Sequence, residues 1–480
     1  MGVWCVPIVG SSLEEAASQV EEAASIASLL EFRLDLFTDH DTERIKKIRA
    51  NHRVIFTLRG GSQEEIRKFA SLEPDYFDLE SDLPENFLEE LSRDFPQVKQ
   101  IISYHNFSET PADLEGLFQG MKRRSASLYK IACQANSILD SLRMLDFVEK
   151  HRPILGMCMG EKGEVTRILG LLKGAPWIYV ALDSFRKSAP GQLTIQDLKR
   201  FSPLTPETDI YGLIGSPISQ SISHITHNKT MRDLQIPGVY VKMEILPNEL
   251  SEFFSWARRS GLRGLSVTMP LKEAILPYLD EIHPDAKKIG AVNTLLFQEG
   301  KIYGWNTDGI GALDAIEAKQ KVAGKRFMVL GAGGAARAIV FEAKRRGALV
   351  EVYNRTKERA LQLAHEFAVV GRELDAFPSE GEIVINTTPD PLPILPEKIP
   401  PNSLVMDIKT LPKMTRFLEE AESRGCTLVF GYEMFVNQAV LQYIHWGYES
   451  RGLHSTLETH SLTHLFSSKV PEEQKLLADS

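Results

Sequence analysis

The first 200 residues consist of short apolar runs that recur every ~20 to 25 residues, with charged, helix-like stretches between them. The runs are Trp4 to Val9, Ser28 to Leu34, Val54 to Leu58, Tyr76 to Leu79, Gln100 to Tyr104, Leu128 to Cys133, Ile154 to Met159 and Ile178 to Leu182. Strands alternating with helices suit either an open doubly wound sheet or a closed (β/α)8 barrel. Eight repeats, with no glycine-rich turn after the first, favour the barrel. With 480 residues the chain predicts two or three domains.

A barrel of this type carries its chemistry at the C-terminal ends of its strands, and polar residues collect there. Glu31 and Arg33 fall near the end of the second run, Arg59 just after the third, Asp78 and Glu80 at the fourth, His105 at the fifth and Lys130 on the sixth. Lys130 is the only charge in Ser127-Leu128-Tyr129-Lys130-Ile131-Ala132-Cys133. A buried lysine is costly unless it is paired or neutral, and burial beside other cations favours the free amine that attacks a carbonyl. Taken alone, such a lysine more often snorkels or forms a salt bridge. With His105 it reads as a Schiff-base nucleophile with an acid/base partner. After the seventh run, a glycine-bounded turn leads to Arg167, a cation suited to a carboxylate. After the eighth, Ser188-Ala189-Pro190-Gly191-Gln192 is a turn-rich loop able to fold over a ligand.

These segments, together with Glu31-Phe32-Arg33-Leu34-Asp35, Phe56-Thr57-Leu58-Arg59 and Ser103-Tyr104-His105, resemble the type I 3-dehydroquinate dehydratase family in order and over the whole first half. The resemblance implies that Lys130 forms an imine with the substrate ketone, and that His105 removes a proton and later protonates the departing hydroxyl. It also implies that Arg167 holds the carboxylate, while Glu31, Arg33, Arg59, Ser188 and Gln192 bind hydroxyls or close the site. The family often carries a glutamate four residues after the arginine that matches Arg59. Here that position is Gln63, which leaves Glu64 and Glu80 as the acids able to orient His105.

Phe201 to Thr208, with Pro203 and Pro206 among polar residues, marks a boundary. The expected division is a barrel over 1–202, a linker over 203–208, a small α/β substrate subdomain over 209–307 and a Rossmann subdomain over 308–435. A returning helix and a polar tail are expected over 436–480. The Rossmann expectation rests on Phe327-Met328-Val329-Leu330 leading into Gly331-Ala332-Gly333-Gly334-Ala335, a G-x-G-x-x-A fingerprint whose glycines let the backbone approach a pyrophosphate. A second strand, Leu349 to Tyr353, ends in Asn354-Arg355-Thr356-Lys357. An NAD site would want an acid there. Arg355 and Thr356 match a 2′-phosphate better, and NADP is the expected cofactor.

Upstream, the segments Ser219 to His224, Ser266 to Lys272, Gly290 to Thr294 and Asn306 to Gly309 supply hydroxyls, amides, Lys272 and Asp308, a set suited to a polyhydroxylated substrate. Together they resemble shikimate dehydrogenase. By that resemblance Ser221 and Ser223 bind the substrate carboxylate, Thr268, Asn293 and Gln438 bind ring hydroxyls, and Lys272 with Asp308 forms the catalytic pair. The family's D-x-x-Y segment departs here, with Thr410 in place of the tyrosine in Asp407-Ile408-Lys409-Thr410.

The two resemblances name consecutive reactions, dehydration of 3-dehydroquinate to 3-dehydroshikimate and reduction of that ketone to shikimate. Two alternatives stay open at this point: a Schiff-base aldolase fused to a quinate dehydrogenase, and a ligand-sensing regulator that has kept the folds. A net charge of -9 argues against nucleic-acid and anionic-membrane partners, and leaves small molecules as ligands and a homo-oligomer as an open possibility. Cys5, Cys133, Cys158 and Cys426 lack metal-ligand or disulfide spacing, so no metal is expected. The N-terminus has no basic region and too short an apolar run for a signal or span, so the expected location is cytoplasmic.

Overall fold

The computed structural model describes residues 3–201 and 203–467, with side chains to 462; the predicted polar tail lies outside them. The chain divides into two compact units between Thr208 and Asp209.

In the first unit all eight predicted runs are strands: β1 Val3–Ile8, β2 Leu29–Arg33, β3 Val54–Thr57, β4 Tyr76–Glu80, β5 Lys99–Asn106, β6 Leu128–Gln134, β7 Leu155–Met159 and β8 Trp177–Tyr179. They pair in parallel in the order β7-β6-β5-β4-β3-β2-β1-β8, which places β1 between β2 and β8. Among the described residues no ladder joins β7 to β8, so the near-closed wall has one seam there. Parallel strands covered on both faces read as unbroken apolar runs, and all four residues of β3 are buried. Four surrounding helices open with a hydroxyl cap and an acid three residues later: Ser12 with Glu15, Ser62 with Glu65, Ser137 with Asp140 and Thr194 with Asp197. Each pair satisfies backbone N–H groups that would otherwise be orphaned.

The strand period of two stacks the barrel interior in layers. Cys5, Leu29, Ile55, Tyr76, Ile101, Leu128, Leu155 and Trp177 form one apolar cluster. Two residues further along their strands come Glu31, Thr57, Asp78, Ser103, Lys130, Met157 and Tyr179, and two beyond those come Arg33, Glu80 and His105. The apolar layer plugs the barrel, and the polar layers above it form the floor and walls of a cavity.

The second unit contains two sheets. The first holds β9 Asp209–Gly215, β10 Gly238–Glu244, β11 Leu262–Val267, β12 Glu281–Ile282, β13 Thr294–Gln298 and β14 Lys301–Trp305, in the order β10-β9-β11-β13-β14-β12. The second holds β15 Arg326–Leu330, β16 Leu349–Asn354, β17 Val370–Glu373, β18 Ile383–Asn386, β19 Leu404–Asp407 and β20 Thr427–Val429. Its order, β17-β16-β15-β18-β19-β20, is doubly wound, with the switch point between β15 and β18. Successive β15 residues feed opposite cores, Phe327 and Val329 on one face, Met328 and Leu330 on the other.

The helix Asp308–Glu317 joins the two parts and lies against both Gly334–Arg345 and Gly431–His445. The approach is too close for side chains. A Cβ on Gly309 would come within 2.3 Å of the Ala338 carbonyl oxygen, and one on Gly311 within 2.8 Å of the Gln438 amide nitrogen. The last described helix, Leu453–Ser467, packs on Ser223–Asp233 and Gly431–His445.

Candidate active sites

The barrel cavity has a volume of about 350 Å³ and is lined by Glu31, Arg33, Thr57, Arg59, Glu80, His105, Lys130, Arg167, Tyr179, Ser188 and Gln192, among others. All eight residues singled out for this half therefore meet around one space. Lys130 is only 6% exposed and is the third residue of β6 rather than its last. Its partner is Asp78, whose Oδ2 accepts from Nζ at 2.8 Å, while Glu31 Oε1 stands 3.9 Å away. The ammonium lies 4.6 Å from the centroid of the Tyr179 ring, an aromatic that reads in sequence as ordinary core.

Asp78 Oδ2 also receives Arg59 Nη2 at 2.9 Å. Burial pushes the Asp78 carboxyl up, but Arg59, Lys130 and His105 outweigh it and hold the group well below the usual carboxylate range. Arg59 Nη1 reaches Glu80 Oε1 at 2.5 Å and Ser103 Oγ at 3.1 Å. Burial alone would lower the Arg59 pKa, yet Asp78, Glu80 and Glu31 raise it. His105 Nδ1 lies 3.2 Å from Glu80 Oε2. Of the two acids left open for His105, Glu80 is therefore the one in contact. Glu64 is exposed on the helix Gln63–Ala70.

Arg167 is buried in the helix Glu164–Leu169. Its Nη2 donates to the Pro190 carbonyl at 3.4 Å and its Nε has no partner among the described residues. Burial pushes its pKa down to about 10, outweighing the opposing pull of Cys158 and Glu164. In the loop above, the Ser188 N–H and hydroxyl donate to Gln192 Oε1 at 2.7 and 3.1 Å, leaving the buried Gln192 Nε2 unpartnered.

The second unit holds a cavity of about 500 Å³ lined by Ser221, Ser223, Ser266, Thr268, Lys272, Asn293, Asp308, Thr410, Gln438 and Gln442, among others. All predicted substrate-side residues of this half are present. Lys272 Nζ lies 2.5 Å from Asp308 Oδ2, and Asn293 Nδ2 donates to Asp308 Oδ1 at 2.8 Å. The Asn293 amide is fixed in turn, because its Oδ1 accepts the Thr307 N–H at 2.9 Å and the Thr294 hydroxyl at 2.8 Å. Ser221 and Ser223 hydroxyls stand 3.1 Å apart at the start of the helix Ser223–Asp233. Gln442, absent from the sequence reading, accepts from Ser266 Oγ at 2.9 Å and donates to the Asn293 carbonyl at 3.2 Å. Its spacing of four from Gln438 on one helix was the available signal. Thr410 and Lys409 line the cavity where the family pattern places a tyrosine.

A neighbouring cavity of about 430 Å³ is lined by Gly331, Ala332, Gly333, Asn354, Arg355, Thr356 and Arg359, among others. Gly333, Gly334 and Ala335 line an adjoining space with Lys272 and Thr268. Gly331 has a φ of 116°, and a Cβ there would meet Thr387 Oγ1 at 2.3 Å, so this turn requires glycine. The helix Gly334–Arg345 then presents its free N–H groups. Arg355 and Arg359 form no ion pair with any described residue, which fits a phosphate dianion at the end of β16. Lys357 lines neither space. It opens the helix Lys357–Phe367, and the two-residue step to Arg359 turns ~200° about the axis.

A buried lysine–carboxylate pair beside a histidine in a barrel, joined to a half-buried lysine–carboxylate pair beside a dinucleotide cradle, defines a two-centre enzyme, a lyase joined to an oxidoreductase. Family models agree: type I 3-dehydroquinase matches residues 4–205, shikimate dehydrogenase substrate binding domain matches 213–295, and shikimate/quinate 5-dehydrogenase matches 314–408. A bifunctional 3-dehydroquinate dehydratase/shikimate dehydrogenase, chloroplastic, from Arabidopsis thaliana is 36% identical over 92% of this chain and 81% of its own. A shikimate biosynthesis protein from Chlamydia pneumoniae is 34% identical over 92% and 94%. A solved shikimate dehydrogenase in complex with NADP+ matches 55% of this chain and 98% of its own with 33% identity and a TM-score of 0.53. The Aquifex aeolicus shikimate dehydrogenase matches 54% and 98% with 35% identity and a TM-score of 0.51. The chain belongs to the bifunctional 3-dehydroquinate dehydratase/shikimate dehydrogenase family.

Proposed function

We propose that the chain dehydrates 3-dehydroquinate in its barrel and reduces the resulting 3-dehydroshikimate to shikimate with NADPH in its second unit. In the first site Lys130 Nζ adds to the substrate ketone and water leaves, giving an imine whose cationic form stabilises charge at the neighbouring carbon. His105 takes that carbon's proton and returns it to the departing hydroxyl; hydrolysis of the imine then frees Lys130, so that one water is lost overall. Asp78 holds Nζ in place, and Arg167, buried with its Nε unpartnered among the described residues, receives the substrate's carboxylate. Glu31, Arg33, Arg59, Ser188 and Gln192 surround the ring hydroxyls.

In the second site Lys272 Nζ donates the proton to the carbonyl oxygen as it becomes an alcohol, and Asp308 holds that amine by a hydrogen bond and aims it. Ser221 and Ser223 take the carboxylate, while Thr268, Asn293 and Gln438 take hydroxyls. The cofactor is NADP, held by Gly331 to Ala335, Asn354, Arg355 and Thr356; when bound in reduced form it supplies the hydride. The domain limits read from sequence belong to this proposal and are supported by the division after Thr208. A cytoplasmic location is also part of it. Among the described residues no helix is long and apolar enough to cross a membrane.

The observation that carries the reading is that each unit has a cavity with a lysine at bonding distance from a buried carboxylate. The test is NADPH absorbance after 3-dehydroquinate is added as sole substrate. Loss of absorbance requires both sites. A flat trace with 3-dehydroquinate that turns downward on adding 3-dehydroshikimate would refute the barrel assignment.

A further inference from the structure

We propose that Glu80 is the positioning residue for His105 in this chain, standing in for an acid at position 63, and that Arg59 locks the pair. The proposal rests on the dehydratase reading of the barrel. Gln63 has no charge to offer, and Glu64 beside it is exposed and makes no hydrogen bond to a described residue. Glu80 Oε2 sits 3.2 Å from His105 Nδ1, and its other oxygen is tied to Arg59 Nη1 at 2.5 Å.

The two partners of the imidazole decide its tautomer. A guanidinium can only donate, and Arg59 Nη2 lies 3.5 Å from Nε2, so Nε2 faces it as an acceptor. A carboxylate can only accept, so Nδ1 carries the proton toward Glu80. Nε2 is then the unprotonated nitrogen, the one a base uses. The other carboxylate of β4, Asp78, makes no hydrogen bond to His105: its Oδ2 holds Lys130 and Arg59, and its Oδ1 is buried without a partner among the described residues. Asp78 and Glu80 are two residues apart on one strand and share its inward face. Asp78 serves the nucleophile and Glu80 the base, with Arg59 bridging the two.

Charge around the ring supports this division. Burial pushes the His105 pKa down; Glu80 and Asp78 act to raise it, and Lys130 and Arg59 lower it further, with the net result below the ordinary histidine value. The ring is therefore neutral near pH 7, as a base must be. Burial raises Glu80, but His105 and Arg59 bring it below the usual range, so it remains a carboxylate.

The test has two arms on the full-length protein. Imidazole nitrogen NMR, with the His105 signal assigned by its loss in His105→Asn, reads the tautomer whether or not the protein acts on 3-dehydroquinate. The expected result is a proton on Nδ1 in the parent and loss of that fixed tautomer in Glu80→Gln; a parent protonated at Nε2 overturns the proposal. In the kinetic arm Glu80→Gln lowers dehydration kcat by about 10²-fold with KM within about 3-fold. Its acidic limb moves to lower pH, because the carboxylate that favoured the imidazolium is gone. Glu80→Asp, which keeps the charge, recovers part of the loss. Glu80→Gln with parental kcat and an unmoved limb overturns the proposal. A parent inert toward 3-dehydroquinate refutes the dehydratase reading instead, and the tautomer still decides whether Glu80 holds His105.

Discussion

Both candidate sites contain a lysine hydrogen-bonded to a buried aspartate, yet the two pairs sit in opposite surroundings. Lys130 lies within a strand under the Tyr179 ring, and its aspartate is shared with a second cation, Arg59. Lys272 lies on the short helix Leu271–Ala274, and the other oxygen of its aspartate accepts from the neutral Asn293 amide. The Asp78 carboxylate is thus divided between two cations, whereas Asp308 faces one ammonium and one neutral amide. The two pairs differ in who else holds the aspartate, and that difference is open to test by mutation.

The sharpest way to separate the two centres is to remove each lysine in turn. Lys130→Ala is expected to lower dehydration by about 10⁴-fold or more, since no other amine can form the imine, while reduction of added 3-dehydroshikimate is unchanged. Lys272→Ala is expected to lower reduction by about 10²- to 10³-fold and leave dehydration intact, because general-acid help is worth less than a covalent path. Equal losses in the two variants would erase the distinction drawn between the pairs. Next in size, Arg355→Ala should raise the KM for NADPH about 10-fold and leave that for NADH within about 2-fold, measured with 3-dehydroshikimate as substrate. A parallel rise in both would remove Arg355 from the 2′-phosphate.

The smallest effect concerns stability and sets the second unit apart. His227 is stacked on Tyr240 with ring centroids 4.3 Å apart, and burial pushes its pKa down to about 3 with no charged group opposing it. The unfolded chain takes up a proton near the ordinary histidine value of ~6.5. The folded unit refuses that proton down to about 3, so stability falls as pH drops through this window. The slope is about 1.4 kcal/mol per unit, and thermal unfolding of His227→Gln should show a flatter pH dependence. An unchanged slope would assign the acid sensitivity to other groups.

Much of this was legible beforehand because it is periodic. The eight barrel strands announced themselves as apolar runs, and the inward layers follow from counting by two from Leu29, Tyr76 and Leu128 to Glu31, Asp78 and Lys130. The lysine–aspartate bond itself was not legible, because β4 and β6 stand on either side of β5 and no local pattern records a contact spanning 52 residues. The choice of Glu80 over Glu64 was readable only once the first was known to lie on a strand and the second on an exposed helix. Tyr179 was passed over because an aromatic on a buried strand looks like packing, and Arg359 because charged residues on a helix look like surface.

The helix Asp308–Glu317 passes two neighbours at glycine distance and begins at Asp308. Sequence change has almost nowhere to enter along that crossing, since even one added methyl at Gly309 or Gly311 collides with backbone. Substitution is less confined at the border of the cavity, at residues such as Ser219, Lys409 and Thr410, whose side chains take no part in the Gly309 and Gly311 contacts. The crossing fixes where Asp308 stands, and the rim is left as the part of the cavity that substitution can reshape.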